Sequence, residues 1–196
     1  KINNLSKIKK IDIYTSHHTH NVIGSGAKDP QKMNPGSSRE TLDHSIMYIF
    51  AVALEDGKWH HINSYTKKRS HKKSTINLWN KIETHEDKIW TKKYHNSDPK
   101  KKAFGAKVIV KMKGGEKLTE SLERADAHTY GNRPFKRRNY IEKFMTLTDK
   151  IIKPSESKRF LRDVQNLKKL KAGELYKLNI EIDPKKIKKN NTKGIF

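Results

Sequence analysis

The chain has no cysteine among its 196 residues. That absence excludes disulfides, iron–sulfur clusters and thiolate zinc sites, and it suits a reducing cytoplasm, the compartment we expect. Long apolar runs are missing too. The longest, IMYIFAVAL, falls well short of the roughly 18 residues of a membrane span and suits a buried helix, so no membrane partner is expected. The opening KINNLSKIKK carries cations with no apolar segment behind them, so it is not expected to be a secretory signal. It begins with Lys1 rather than methionine, as expected of a chain that starts inside a larger protein. Only 33 % of the residues are hydrophobic, so the core must be economical, although the length allows one to form.

Negative charge is scarce. The 21 Asp and Glu residues face 44 Lys and Arg, a formal net charge of +23. Such an excess suggests a nucleic-acid-binding module, because phosphate neutralisation dominates that affinity. The cations, however, run from one end of the chain to the other and cluster only in KKRSHKK, KKYHNSDPKKK and KKIKK. No aromatic RNA-binding motif, helix-turn-helix pattern or finger spacing accompanies them. Abundant Lys, Asn and Ile point to compositional drift, and nucleic acid is not the expected partner. Also missing are the GK[ST] ending of a phosphate loop, an HExxH zinc helix and a GxSxG nucleophile elbow.

What is present reads as α+β. In IDIYTSH, Ile11, Ile13 and Thr15 alternate with Asp12, Tyr14 and Ser16, the period of a half-buried strand. GSGAKDPQKMNPGSS reads as a plain loop, and the spacing of Ser37 and Glu40 predicts a capped helix start. Leu42, Ile46, Ile49, Phe50 and Ala53 then share a helical face up to Gly57, the expected C-cap. TINLWNKIETHEDKIW predicts a short helix and turn anchored by Trp79 and Trp90. Val108, Val110 and Met112 followed by Gly114-Gly115 predict a hairpin. From Pro134 the pattern turns helical, with a second helix opening at Pro154, and the tail from Asp183 reads as poorly ordered. Residues 1–10 form a basic segment, 11–135 a small α+β domain, 136–182 C-terminal helices that need another surface to pack on, and 183–196 a basic tail.

Three histidines crowd SHHTH at 16–20. On an extended strand His18 and His20 would share a face and His17 would point away, too few ligands for zinc. No metal or other cofactor is expected. With no nucleophile motif, what remains is acid–base work on an anionic substrate, His and Tyr carrying protons and Arg or Lys holding carboxylates. His44 and Tyr48 lie four residues apart on a stripe that continues through Ala51 and Glu55, nearly opposite the apolar face. Arg133, in the turn Gly131-Asn132-Arg133-Pro134, is a candidate carboxylate ligand because a guanidinium binds carboxylates bidentately.

TSHHTHNVIGSGAKDPQKMNPGSSRETLDHSIMYIFAVALEDGKWHH, together with SYT, WTKKYHNSDP, KAFGAKVIV, ADAH and GNRPFKRRNYIEKF, resembles the MmgE/PrpD family over residues 11–196. The DHSIMY and GNRPF stretches resemble its 2-methylcitrate dehydratase branch. The resemblance implies the C-terminal part of a two-domain lyase, with the active site between an all-helical domain and a small α+β domain. It implies water removal from a tricarboxylate in propionate breakdown, without a cofactor. The expected partners are that substrate and the N-terminal helical domain, with a homodimer among the assemblies it allows. Tyr48 and His44 match catalytic positions, with Arg133, His128 and His17 as substrate ligands. A nucleic-acid-binding module and a silent remnant of a split gene are the competing readings.

Overall fold

Ile8, Ile11 and Ile13 lose almost all solvent contact and fix the first strand, β1 (Ile8–Thr15). A register irregularity between Ile8 and Lys10 swings Ile8 onto the same face as the other two isoleucines. The computed structural model describes residues 2–187. It divides the chain into two compact units, Lys1–Pro134 and Phe135–Phe196. β1 is thus joined to the core from Ile8, inside what sequence alone marks as a basic segment.

The first unit carries helices α1 (His17–Val22), α2 (Arg39–Asp43), α3 (Ile46–Asp56), α4 (Lys67–Ser70), α5 (Lys73–Trp79) and α6 (Lys88–Tyr94). Its strands are β1, β2 (Ile82–Glu86), β3 (Ala106–Met112) and β4 (Lys117–Leu122), in the order β2–β1–β3–β4. β1 and β2 run parallel, with Ile11 opposite Ile82 and Ile13 opposite Thr84. β3 joins β1 antiparallel and continues through Gly114-Gly115 into β4, the expected hairpin. One sheet face packs Ile11, Ile13, Ile82 and Val110 against Met47, Tyr48, Val52, Leu78 and Trp79. Trp79 and Trp90 are both buried anchors, as expected.

Two sequence expectations need correction here. The stretch IETHE forms β2, a strand absent from the sequence reading, because only Ile82 and Thr84 turn inward and a parallel partner completes the rest. The single helix expected to start at Ser37 is two helices. Ser38 caps α2 by accepting from the Thr41 N–H (3.2 Å), and Ser45 caps α3 by accepting from Tyr48 N–H (3.3 Å). The break at His44–Ser45 resets the helical phase, so the buried face of α3 is Met47, Tyr48, Ala51 and Val52, whereas Ile46, Ile49, Phe50 and Ala53 are only half-buried. Gly57 ends α3 at φ +65°, where a side chain would be strained.

The second unit contains α7 (Arg137–Thr148) and α8 (Pro154–Gln165) followed by short 3-10 turns. Arg159 ties them down: its guanidinium donates to Glu156 (2.7 Å), Asp163 (3.1 Å) and the carbonyls of Lys177 (2.6 Å) and Asn179 (2.7 Å). Phe135, Tyr140, Met145, Leu147, Ile151, Val164 and Leu167 are exposed in this unit, and Ile152 is buried. The tail expected from Asp183 lies partly outside the described residues. No described helix is long and apolar enough to cross a membrane.

Candidate active site

The carboxyl ends of β1 and β2 lie side by side because the strands are parallel, and each feeds a helix, β1 into α1 and β2 into α6. Loops at this edge of a parallel pair are free to carry chemistry. SHHTH sits here, and it is helical rather than extended: Ser16 caps α1 by accepting from the Thr19 N–H at 3.2 Å. The helix puts His17 and His20, three residues apart, toward β2, and it leaves His18 stacked on Tyr94 with ring centres 5.0 Å apart.

His17 Nδ1 lies 2.9 Å from Glu86 Oε2. A carboxylate can only accept, so the proton belongs on Nδ1, and Nε2 meets the Asn21 side-chain amide at 3.4 Å. Thr91 completes the arrangement, donating its hydroxyl to Glu86 Oε1 (3.0 Å) and accepting the His17 backbone N–H (2.8 Å). The bonds from His17 and Thr91 hold the Glu86 carboxyl below its usual range. The His17 side chain keeps 60 % of its surface in solvent, so the ring is accessible. Thr91 also lines a depression of about 520 Å³, together with Lys88, Lys92 and His95. A histidine oriented by a carboxylate can move a proton, and the Lys88 and Lys92 ammonium groups of that depression can hold a carboxylate.

His20 meets β2 two residues earlier, at Thr84. Its Nδ1 shares a 2.7 Å hydrogen bond with Thr84 Oγ1, and burial, helped by the field of His85, pushes its pKa down. The loop read as a plain connection closes over it: a Cβ on Gly26 would strike the His20 ring, and one on Gly24 would strike Thr84 Oγ1. Ile46 N–H donates to the Ile23 carbonyl (2.9 Å), and Lys32 Nζ to the His44 carbonyl (3.0 Å). The start of α3 is therefore fastened to the same edge as SHHTH.

The paired roles read from His44 and Tyr48 do not survive as geometry. His44 ends α2, exposed, with its ring on the Glu40 carbonyl (2.8 Å). Tyr48 does not face away from the domain core; it is completely buried, its ring 4.9 Å from Trp79, and its hydroxyl donates to the Ser64 carbonyl. Burial pushes that phenol up to about 12. The phase reset at Ser45 turned it inward. Tyr48→Phe is therefore expected to lower stability by about 1–3 kcal/mol, since the buried Ser64 carbonyl loses its donor. A urea midpoint equal to wild type would refute this.

Arg133 and His128 stay within their own turn. Arg133 is exposed and pairs with Asp126 through Nε (3.0 Å), and the His128 ring accepts the Tyr130 N–H (3.1 Å). No hydrogen bond among the described residues links either to His17 or His44. Glu86, Thr91, Lys88 and Lys92 were not singled out by sequence reasoning, although KKYHNSDPKKK had stood out as a basic cluster.

A possible metal set was also not foreseen. Ligand atoms of Asp12, Glu83 and His85 lie within 4.8 Å of one another on the open sheet face. Lys10 Nζ already sits 3.1 Å from Asp12 and 2.6 Å from Glu83, and Lys111 Nζ 2.8 Å from Asp12. These ammonium groups stand where a divalent cation would have to bind, so the set does not fit one.

The model of the MmgE/PrpD C-terminal domain family matches residues 1–169, spanning all of the first unit, the carboxyl-edge histidines and the helices α7 and α8. The chain belongs to the MmgE/PrpD family, as its C-terminal domain.

Proposed function

We propose that this chain supplies one side of the active site of a hydro-lyase that removes water from 2-methylcitrate. The observation that carries the reading is the His17–Glu86 dyad at the strand ends, joined through Thr91 to the depression that Lys88 and Lys92 line. In the proposed reaction a base takes the proton on the carbon next to a carboxylate. Its C–H electrons form the double bond, and the hydroxyl departs with a second proton as water. His17 Nε2 carries one of these two protons; Lys88 and Lys92 hold substrate carboxylates. The second proton carrier belongs to an N-terminal all-helical domain, so this chain alone is inactive. The exposed Tyr140, Met145, Leu147 and Val164 support that partner, since helices presenting such side chains lack apolar cover of their own.

The test is reconstitution. Mixed with the helical domain of a family member, the chain should convert 2-methylcitrate to an unsaturated tricarboxylate, followed by absorbance of the new double bond, and neither part alone should do so. Equal turnover by the helical domain alone would refute the reading. A basic nucleic-acid module would instead bind an oligonucleotide with affinity falling steeply in salt.

A further inference from the structure

The amino ends of β1 and β2 form the opposite edge of the sheet, about 26 Å from the histidines by the rise of an eight-residue strand. There a cleft of about 410 Å³ opens between the turn before β1, the end of α5 and the end of β3. Lys81, Lys113, Asn77 and Asn80 line it with Ser74 and Glu55.

Its polar groups divide unevenly. Glu55 is committed within the protein: Arg69 lies 2.8 Å away and Thr75 donates to it at 2.6 Å. Lys81 spends one N–H on the Ile8 carbonyl (2.6 Å), which aims the ammonium along the strand ends and leaves two donors. The Lys113 backbone N–H donates to the Lys7 carbonyl (2.8 Å), anchoring that residue at the rim. Among the described residues the Lys113 ammonium and the side-chain amides of Asn77 and Asn80 have no protein partner. Burial and the positive field of Lys113 both act against the charge on Lys81, so a bound anion would relieve both.

We infer that this cleft is a second ligand site, one that takes a phosphate group through Lys81, Lys113, Asn77 and Asn80. No arginine lines it, so the planar two-point grip that suits a carboxylate is missing. Ammonium point charges with separate amide donors suit a tetrahedral oxyanion. The inference does not rest on the proposed lyase activity, since no residue is shared with the dyad.

Inorganic phosphate titrated into the ¹⁵N-labelled chain, with ionic strength held by sodium chloride, should move the backbone amide signals of residues 77–81 and 113 saturably. The signals of residues 16–20 should stay in place. Lys113→Gln, an exposed substitution, should weaken phosphate binding by about tenfold or more. Lys81→Gln/Lys113→Gln should abolish the shifts. Pyrophosphate binding more tightly than phosphate would identify a phosphorylated metabolite as the source, and phosphate binding as well as pyrophosphate would identify the free ion. Absence of saturable shifts in the wild-type chain, unchanged affinity in Lys113→Gln, or equal shifts with citrate would each overturn the inference.

Discussion

His17→Gln in the reconstituted enzyme should lower turnover of 2-methylcitrate by about 10²- to 10⁴-fold, the range for losing a positioned acid–base group. Substrate affinity should change little, because the carboxylates would be held by Lys88 and Lys92 and not by the imidazole. Stability should stay within about 0.5 kcal/mol, since the side chain is 60 % exposed. Glu86→Gln provides the complementary measurement. Glu86 acts through His17 by fixing its Nδ1 proton, so its loss should lower turnover less and should move the limb of the pH–rate profile that reports the imidazole. Full turnover in His17→Gln would remove the dyad from the reaction.

Asp12→Asn should cost about 2–3 kcal/mol of folding stability at pH 7. The carboxylate is 2 % exposed and holds Lys111 (2.8 Å), His85 (2.8 Å) and Lys10 (3.1 Å) around it. Breaking a buried pair costs about 3–5 kcal/mol; the lower figure allows for two ammonium groups that are 38–41 % exposed and partly screened by water. The pH dependence has a definite sign. Burial pushes the Asp12 carboxyl up, but Lys111, His85 and Lys10 outweigh it and hold it well below its ordinary value of 3.8. A depressed carboxyl stabilises the fold above its unfolded pKa, and that contribution disappears as pH falls below about 4. Urea midpoints of wild type and Asp12→Asn should therefore differ at pH 7 and converge in acid. A constant difference across that range would assign the effect to packing instead of charge.

β1 and the hairpin were legible because a strand half in solvent writes its alternation into the sequence, and Gly114-Gly115 marks the turn. β2 was not, since four of the five residues in IETHE are polar or charged and only Ile82 is apolar. For α3 the period was right and the phase wrong: IMYIFAVAL is apolar on nearly every side, so only the Ser45 cap reveals which side goes in. That error placed Tyr48 on the wrong surface. The SHHTH stretch stood out in the sequence, yet its geometry was hidden. His17 meets Glu86 across 69 residues, a contact that only the parallel pairing of β1 and β2 creates.

The position of β1 between β2 and β3 has a consequence for synthesis. Its neighbours come late: residues 16–81 separate it from β2, and β3 starts at Ala106. At about 5–20 residues per second a ribosome needs roughly 5–20 s to travel from β1 to the end of the hairpin. Until β2 emerges, Ile8, Ile11 and Ile13 have no strand to pair with, and the edge that β3 covers stays open until the hairpin is made. Lys7, Lys9 and Lys10 flank and interrupt the run, and such charges keep a nascent strand from pairing with copies of itself. Replacing Lys7 and Lys9, which make no ion pair among the described residues, should leave the finished fold nearly as stable while lowering the yield of soluble chain.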